Sequence, residues 1–233
     1  MLEIITKHGI YKFKPKPIYL GRKRIDKIIS AENLALFKLV LDKNDIVFQL
    51  GFGTVLGAIR EKDFIEHDQD IDIIVLNLQG FIDLLFEFRV KGFEVVRYSE
   101  KNLISLMRNN EYIDVYFFRD HSRSIMSCYD CILVPKEFIK NVAPIEFLGK
   151  DYLVPKDFER YLVYQYGNNW GTPIRDNVSK FGIIFGYIKA FMKPYVPDFI
   201  MYKYVDRNQT RIRAIYWKKI DEYYRTNSVI NQR

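Results

Sequence analysis

The sequence predicts an α+β fold: strands and helices interleave up to about residue 173, and a helical, aromatic C-terminal region follows. Three observations predict it. Between Arg24 and Val75 the apolar spacing reads helix, strand, glycine turn, helix, strand. Between Phe93 and Arg119 three apolar runs rich in β-branched and aromatic residues follow one another, with Asn109-Asn110 as a hairpin turn between the last two. From Ser179 onward Phe, Tyr and Ile recur at helical spacing among lysines and arginines.

The elements follow in order. Residues 1–20 alternate loosely and end in Pro15 and Pro17, which reads as short extended pieces. Arg24–Asp45 places Ile28, Leu34, Phe37, Val40 and Leu41 on a helical stripe. Ile46–Leu50 reads as a short buried strand. Gly51 and Gly53 open a turn, and Thr54–Arg60 starts a helix with Thr54 near its cap. After a polar loop, Asp70–Leu76 reads as a strand with its acids on one face and Ile71, Ile73 and Val75 on the other. Gly80–Gly92 is an amphipathic helix closed by Gly92. Ala143–Asp157 reads as a hairpin leading into a helix with Pro155 at its start, which stops at Gly167. The segment "GNNWGTPIRDN" is the expected hinge, dividing the chain into a domain over 1–173 and an extension over 174–233.

Bulk properties narrow the function. A chain of 233 residues, 48% hydrophobic and 28% charged, has the composition of an ordinary globular protein with a sizeable core. A net charge of +7 and a pI near 9.2 favour anionic partners. Two cysteines, Cys128 and Cys131, exclude a disulfide scaffold and read as reduced thiols. No stretch approaches the roughly 18 apolar residues of a spanning helix, and the N-terminus lacks the features of a signal peptide. The expected location is cytoplasmic. Phe181, Ile184, Phe185, Ile188, Phe191 and Met192, with Lys180, Lys189 and Lys193 nearby, form a basic amphipathic stripe suited to peripheral contact with the inner face of a membrane or to packing on the rest of the chain.

The chemistry concentrates in "GFGTVLGAIREKDFIEHDQDIDIIV", residues 51–75. Asp70 and Asp72 share a strand face, where their repulsion calls for a cation or a proton. Paired carboxylates suit Mg²⁺ or Mn²⁺. Asp114, in "YIDVYFF", is a third acid in an apolar strand; paired beside 70–76, it joins the other two. Gly51 and Gly53 let the backbone approach a phosphate, and the amides of Thr54 and Val55 at the helix start can bind it. Asp68 shares the parity of Asp70 and Asp72 but sits in the loop, so its role stays open.

This order of elements resembles the nucleotidyltransferase fold of polymerase beta-like enzymes. The wording "GTVLGAIREKDFIEHDQDIDI" resembles the core motif of the LicD family, the bacterial phosphocholine transferases to which fukutin and fukutin-related protein are similar. "YIDVYFF" and "VPKDFERYLVYQYGNNWGTP" resemble two later family blocks, in the family's order. The chain departs from the pattern at Asp63, Glu66, His67 and Gln69.

The resemblance implies a mixed sheet flanked by helices, and transfer of a phosphorylated group from a CDP-activated donor to a hydroxyl of a glycan or lipid-linked glycan. In that chemistry Asp70 and Asp72 hold Mg²⁺, and Asp114 is a further ligand or the general base. Arg60 and Lys62 hold donor phosphates, with Gly51, Gly53, Thr54 and His67 beside the substrate. Two other readings are an enzyme that adds a nucleoside monophosphate to a small hydroxyl compound, and a non-catalytic basic protein binding nucleic acid or membrane. The intact acids and the lack of a nucleic-acid motif argue against the last, and no nucleic-acid partner is expected.

Overall fold

The computed structural model describes residues 1–16, 18, 24–99, 102–173 and 198–230, with side chains of the last segment described over 203–227. The α+β expectation holds. Strands β1 (Leu2–Thr6) and β2 (Gly9–Phe13) form an antiparallel hairpin. Helix α1 runs Lys27–Lys43, capped by Asp26, whose carboxylate accepts from the amides of Ile28 and Ile29. Leu34, Phe37, Val40 and Leu41 are buried as their spacing predicts, but Ile28 points outward and is 77% exposed. It lies in the first helical turn, before the stripe meets the core.

A mixed seven-stranded sheet carries the first half of the fold. Its members are β3 (Phe48–Leu50), β4 (Ile71–Val75), β5 (Glu94–Ser99), β6 (Leu103–Arg108), β7 (Glu111–Phe117), β11 (Val142–Phe147) and β12 (Lys150–Pro155). The spatial order is β11-β12-β3-β4-β7-β6-β5. β12 runs parallel to β3 and β4 runs parallel to β7, whereas β3–β4, β7–β6 and β6–β5 are antiparallel. Asn109 and Asn110 both have positive φ, 53° and 63°, as a two-residue primed turn requires.

Helix α2 spans Phe52–Arg60, two residues earlier than predicted. The expected helix over 80–92 is two short ones, α3 (Leu78–Ile82) and α4 (Leu85–Val90), separated at Asp83–Leu84. Phe37 of α1 stacks on Phe88 at 5.1 Å and meets Phe81 at 6.0 Å; Phe81 meets Phe117 at 5.2 Å. This aromatic layer seats α1, α3 and α4 on the sheet face opposite the acids, since Phe117 alternates with Asp114 and Tyr116.

The chain divides into two compact units: Met1–Phe118 with Val142–Val154, and Arg119–Asn141 with Pro155–Arg233. The boundaries between these units fall at 118, 141 and 154, because β11 and β12 return to the large sheet. The second unit holds β8 (Arg119–Asp120), β9 (Ile125–Cys128), β10 (Ile132–Pro135), α5 (Lys136–Lys140), α6 (Phe158–Tyr166) and α7 (Asp198–Ile230). Pro155 ends β12, and Asp157 caps α6 by accepting from the Arg160 amide. Along α7, Gln209 and Ile220 are buried and Tyr216, Lys219 and Tyr223 half-buried, the spacing of one helical face. Tyr223 donates to Glu137, and Tyr224 donates to the Ser124 carbonyl. The predicted membrane stripe at 180–193 lies outside the described residues. Among the described residues no helix is long and apolar enough to cross a membrane.

Phe37→Ala should lower the unfolding free energy by about 3–5 kcal/mol. Ile28→Ala should change it by no more than about 0.5 kcal/mol. Denaturant midpoints of the two variants check this contrast.

Candidate active site

The site begins with register. Asp72 on β4 pairs directly with Asp114 on β7, Asp114 pairs with Ser105 on β6, and Ser105 pairs with Arg97 on β5. Residues opposite one another in register share a sheet face. Arg97, Ser105, Asp114 and Asp72 therefore form one row across four strands. A register shift between Val95 and Arg97 builds this row: Val95 faces Leu106, and the next paired residue is Arg97, facing Ser105. The bulge at Val96 re-aims the arginine.

The row is closed by hydrogen bonds. Arg97 Nη2 donates to Asp114 Oδ2 at 2.5 Å, Ser105 Oγ donates to Asp114 Oδ1 at 2.5 Å, and Arg97 Nε donates to Ser105 Oγ at 2.9 Å. Asp114 is fully buried, so its charge depends on these partners. Each carboxylate oxygen thus accepts one bond from a neighbouring strand and keeps a second lone pair for either expected role. Arg97 and Ser105 were not singled out from the sequence. Their signal is the alternation of "VVRYS" with "LISLM", legible only once the bulge is known.

On the other side of the row, the start of α2 docks against β4. The Gly51 amide donates to the Asp72 carbonyl at 2.9 Å, and the Asp72 amide donates to Thr54 Oγ1 at 2.8 Å. The Gly53 amide donates to Asp72 Oδ2 at 3.1 Å. Thr54 therefore ties the strand to the helix and does not cap it; Gly51 occupies the cap position. The Val55 amide, expected to meet a phosphate, donates instead to the Gly51 carbonyl at 3.0 Å, because the helix starts early. Phe52, between the glycines, holds a positive φ of 36° and packs on Tyr116 at 4.9 Å.

Asp68 joins the site. A methyl group built on Gly53 would lie 3.1 Å from Asp68 Oδ2 and 3.4 Å from Asp72 Oδ2, so the two carboxylates flank this glycine. The loop carrying Asp68 is held in place by the Ile25 amide, which donates to the Asp68 carbonyl at 2.9 Å. The pairs Arg24–Glu66 (2.5 Å) and Lys27–Asp63 (2.7 Å) help hold it. Asp70 sits one residue before β4, half-buried. Arg60, at the end of α2, pairs with Glu61 at 2.8 Å. Lys62 and His67 are exposed in the loop between α2 and β4.

The electrostatics follow from this crowding. Burial pushes the Asp72 carboxyl well above the usual carboxylate range; Asp70, Asp114 and Asp68 push it further, and the Gly53 amide opposes them. Burial raises Asp68 to about 6, and the Arg60 guanidinium opposes the rise. Tyr116, on the same face as Asp114, is raised by burial and then by Asp72, Asp114 and Asp70. These shifts record the mutual repulsion of the acids on this face. Among the described residues no three His, Cys, Asp or Glu side chains form a ready metal-ligand set. Asp70 and Asp72 still fit Mg²⁺, which takes one or two carboxylates and completes its shell with water and substrate oxygens.

Residues 45–157 match the family profile described as LicD/FKTN/FKRP, nucleotidyltransferase domain. A lipopolysaccharide cholinephosphotransferase LicD of Haemophilus influenzae is 35% identical over 66 residues, 28% of this chain and 25% of that protein. An uncharacterised protein of Rickettsia typhi is 26% identical over 113 residues, 45% of this chain and 35% of that protein. The matches thus span a quarter to about a third of the curated relatives. The solution structure of the antibiotic-resistance factor ANT(2'')-Ia is 11% identical, over 87% of this chain and 98% of that one, with a TM-score of 0.47.

Two outcomes follow from this geometry. Asp68 and Asp72 hold protons more tightly folded than unfolded, so the folded state binds more protons across their titration. The stability of metal-free protein should therefore fall as pH rises from the ordinary carboxylate range through about 6. Asp68→Asn should flatten that fall, as measured by thermal unfolding between pH 4 and 7. The second concerns the glycines. A Cβ at Gly57 would meet the Asp63 carbonyl at 2.7 Å, whereas one at Gly53 meets only carboxylate oxygens. Gly57→Ala should lower Tm measurably. Gly53→Ala should cost less than about 1 kcal/mol but disorder the acids, seen as lost turnover.

Proposed function

With residues 45–157 matching the LicD/FKTN/FKRP nucleotidyltransferase domain, we propose that this chain is a phosphotransferase. It moves a phosphorylated group, of the phosphocholine or phospho-alditol type, from a CDP-activated donor to a hydroxyl of a cell-surface glycan. The observation that carries the reading is the in-register pairing of Asp72 with Asp114, with the Gly53 amide on Asp72.

In this reading Asp70 and Asp72 would hold Mg²⁺. When bound, the ion offsets the charge of the donor's pyrophosphate in the in-line transition state. The chain's own residues do the rest. Gly53 and Thr54 orient Asp72 through its carboxylate and its amide. Arg97 and Ser105 hold Asp114 and keep its charge from adding fully to that of Asp72. Arg60, beside the acids, and Lys62, on the loop, supply positive charge for donor phosphates. Asp68, raised to about 6, is matched to accept the proton of the acceptor hydroxyl near neutral pH, while Asp114 is held by Arg97 and Ser105.

Thermal shift with Mg²⁺ and CDP-, UDP- or ADP-linked donors tests the donor class. The largest rise in Tm should come with a CDP donor; equal rises would count against the reading, and an ADP preference would favour nucleoside-monophosphate transfer. Asp72→Asn should abolish turnover with an unchanged or higher Tm. Asp68→Asn should lower kcat about a hundredfold if it is the base, whereas Asp114→Asn should also lower Tm because it breaks the buried pair with Arg97.

A further inference from the structure

The second unit holds a cavity of about 340 Å³ lined by Arg119, His121, Ser127, Asp130, Arg213 and Trp217, with Leu133 at its floor. Its walls come from β8, β9, the turn after β9, and α7. None of the residues of the acid row takes part. The turn that carries Asp130 is tight: Tyr129 and Asp130 both have positive φ, 53° and 57°. That geometry aims the Asp130 carboxylate at Arg119 (2.7 Å) and its carbonyl at Arg213 Nε, which donates at 2.8 Å. Arg119 is thereby neutralised. Arg213 keeps its charge, and its two terminal amino groups have no partner among the described residues. The His121 ring meets the Trp217 indole edge-on at 5.6 Å. Neither ring's nitrogens hydrogen-bond within the described residues, and the Ser127 hydroxyl likewise has no described partner. Several donors and one uncompensated cation therefore line an open cavity whose wall is an indole left 38% exposed.

Exposed arginines alone are solvated surface. The pairing of an unopposed guanidinium with unpartnered neutral donors and an aromatic face is different. An anionic group satisfies the guanidinium and the hydroxyl. The indole covers the apolar face of a pyranose or polyol carbon chain, and its N–H finds a sugar hydroxyl. We propose that this cavity is a binding site for a phosphorylated sugar, with the phosphate on Arg213 and Ser127 and the carbon skeleton against Trp217. The proposal does not rest on the transferase reading, since no carboxylate of the acid row contributes to it.

The test uses the full chain carrying Asp72→Asn, so that turnover does not interfere. Trp170→Phe in the same chain leaves Trp217 as the sole indole. Titration with glucose 6-phosphate should give saturable quenching of Trp217 fluorescence. Glucose and inorganic phosphate should each bind about tenfold more weakly or worse, because each lacks half of the contacts. Arg213→Gln should weaken glucose 6-phosphate by a similar factor and leave glucose unchanged. Binding of glucose 6-phosphate to Trp217→Leu, followed calorimetrically, should also fall, with Tm kept as the control for folding. A phosphorylated oligosaccharide that competes more strongly than the free sugar phosphate identifies a glycan as the source; the reverse order identifies the free sugar phosphate. Equal affinity for phosphate and glucose 6-phosphate, an unchanged affinity in Arg213→Gln, or no binding by either phosphorylated probe overturns the proposal.

Discussion

The candidate site depends on one row of the sheet. Arg97, Ser105, Asp114 and Asp72 stand opposite one another on four neighbouring strands, facing the same way. Placing two carboxylates side by side in a sheet interior is unfavourable unless charge is returned to them. Arg97 returns one charge to Asp114, through contacts that also involve Ser105. Among the described residues the Asp72 carboxylate receives the Gly53 amide and no cation. Its carboxyl is accordingly raised well above the usual range, and a cation beside it would lower the energy.

This asymmetry sorts the acids by role. Asp114 is a satisfied, buried anion whose partners come from the sheet itself. Asp72 meets the start of α2 through the Gly53 amide and is repelled by Asp70. Asp68 arrives from a loop, and its position is set by backbone and ion-pair ties to the segment that begins α1. A site assembled from a rigid row and a tethered loop can keep its strand acids fixed while the loop acid adjusts. The glycines serve the same end: Gly53 leaves room for two carboxylates, and Gly57 lets α2 pass close to the backbone of that loop.

The second unit uses its aromatic residues differently. Phe138, Tyr161, Tyr164 and Tyr223 pack together, with centroid separations of 5.3–5.9 Å between Phe138 and each tyrosine. Tyr223 thus seats α7 against α5 and α6. Trp217, on the same helix, is more than a third exposed and lines a cavity with Arg213.

The sequence by itself determined the α+β class, most strand positions, the Asn-Asn hairpin and the nomination of Asp70, Asp72 and Asp114. These are local properties: alternation, helical spacing, turn chemistry and the improbability of acids in an apolar strand. Burial of Phe37 and its stripe was legible for the same reason. The exposure of Ile28, the break at Asp83 and the start of α2 at Phe52 were not, since each is decided by where an element meets its neighbours. Only the tertiary structure decided that Asp114 is held by Arg97, that Thr54 ties strand to helix, and that Asp68 stands beside Gly53. Those facts hang on a register shift at Val96 and on contacts between residues far apart in the chain, and pairing across strands leaves no mark in a single sequence.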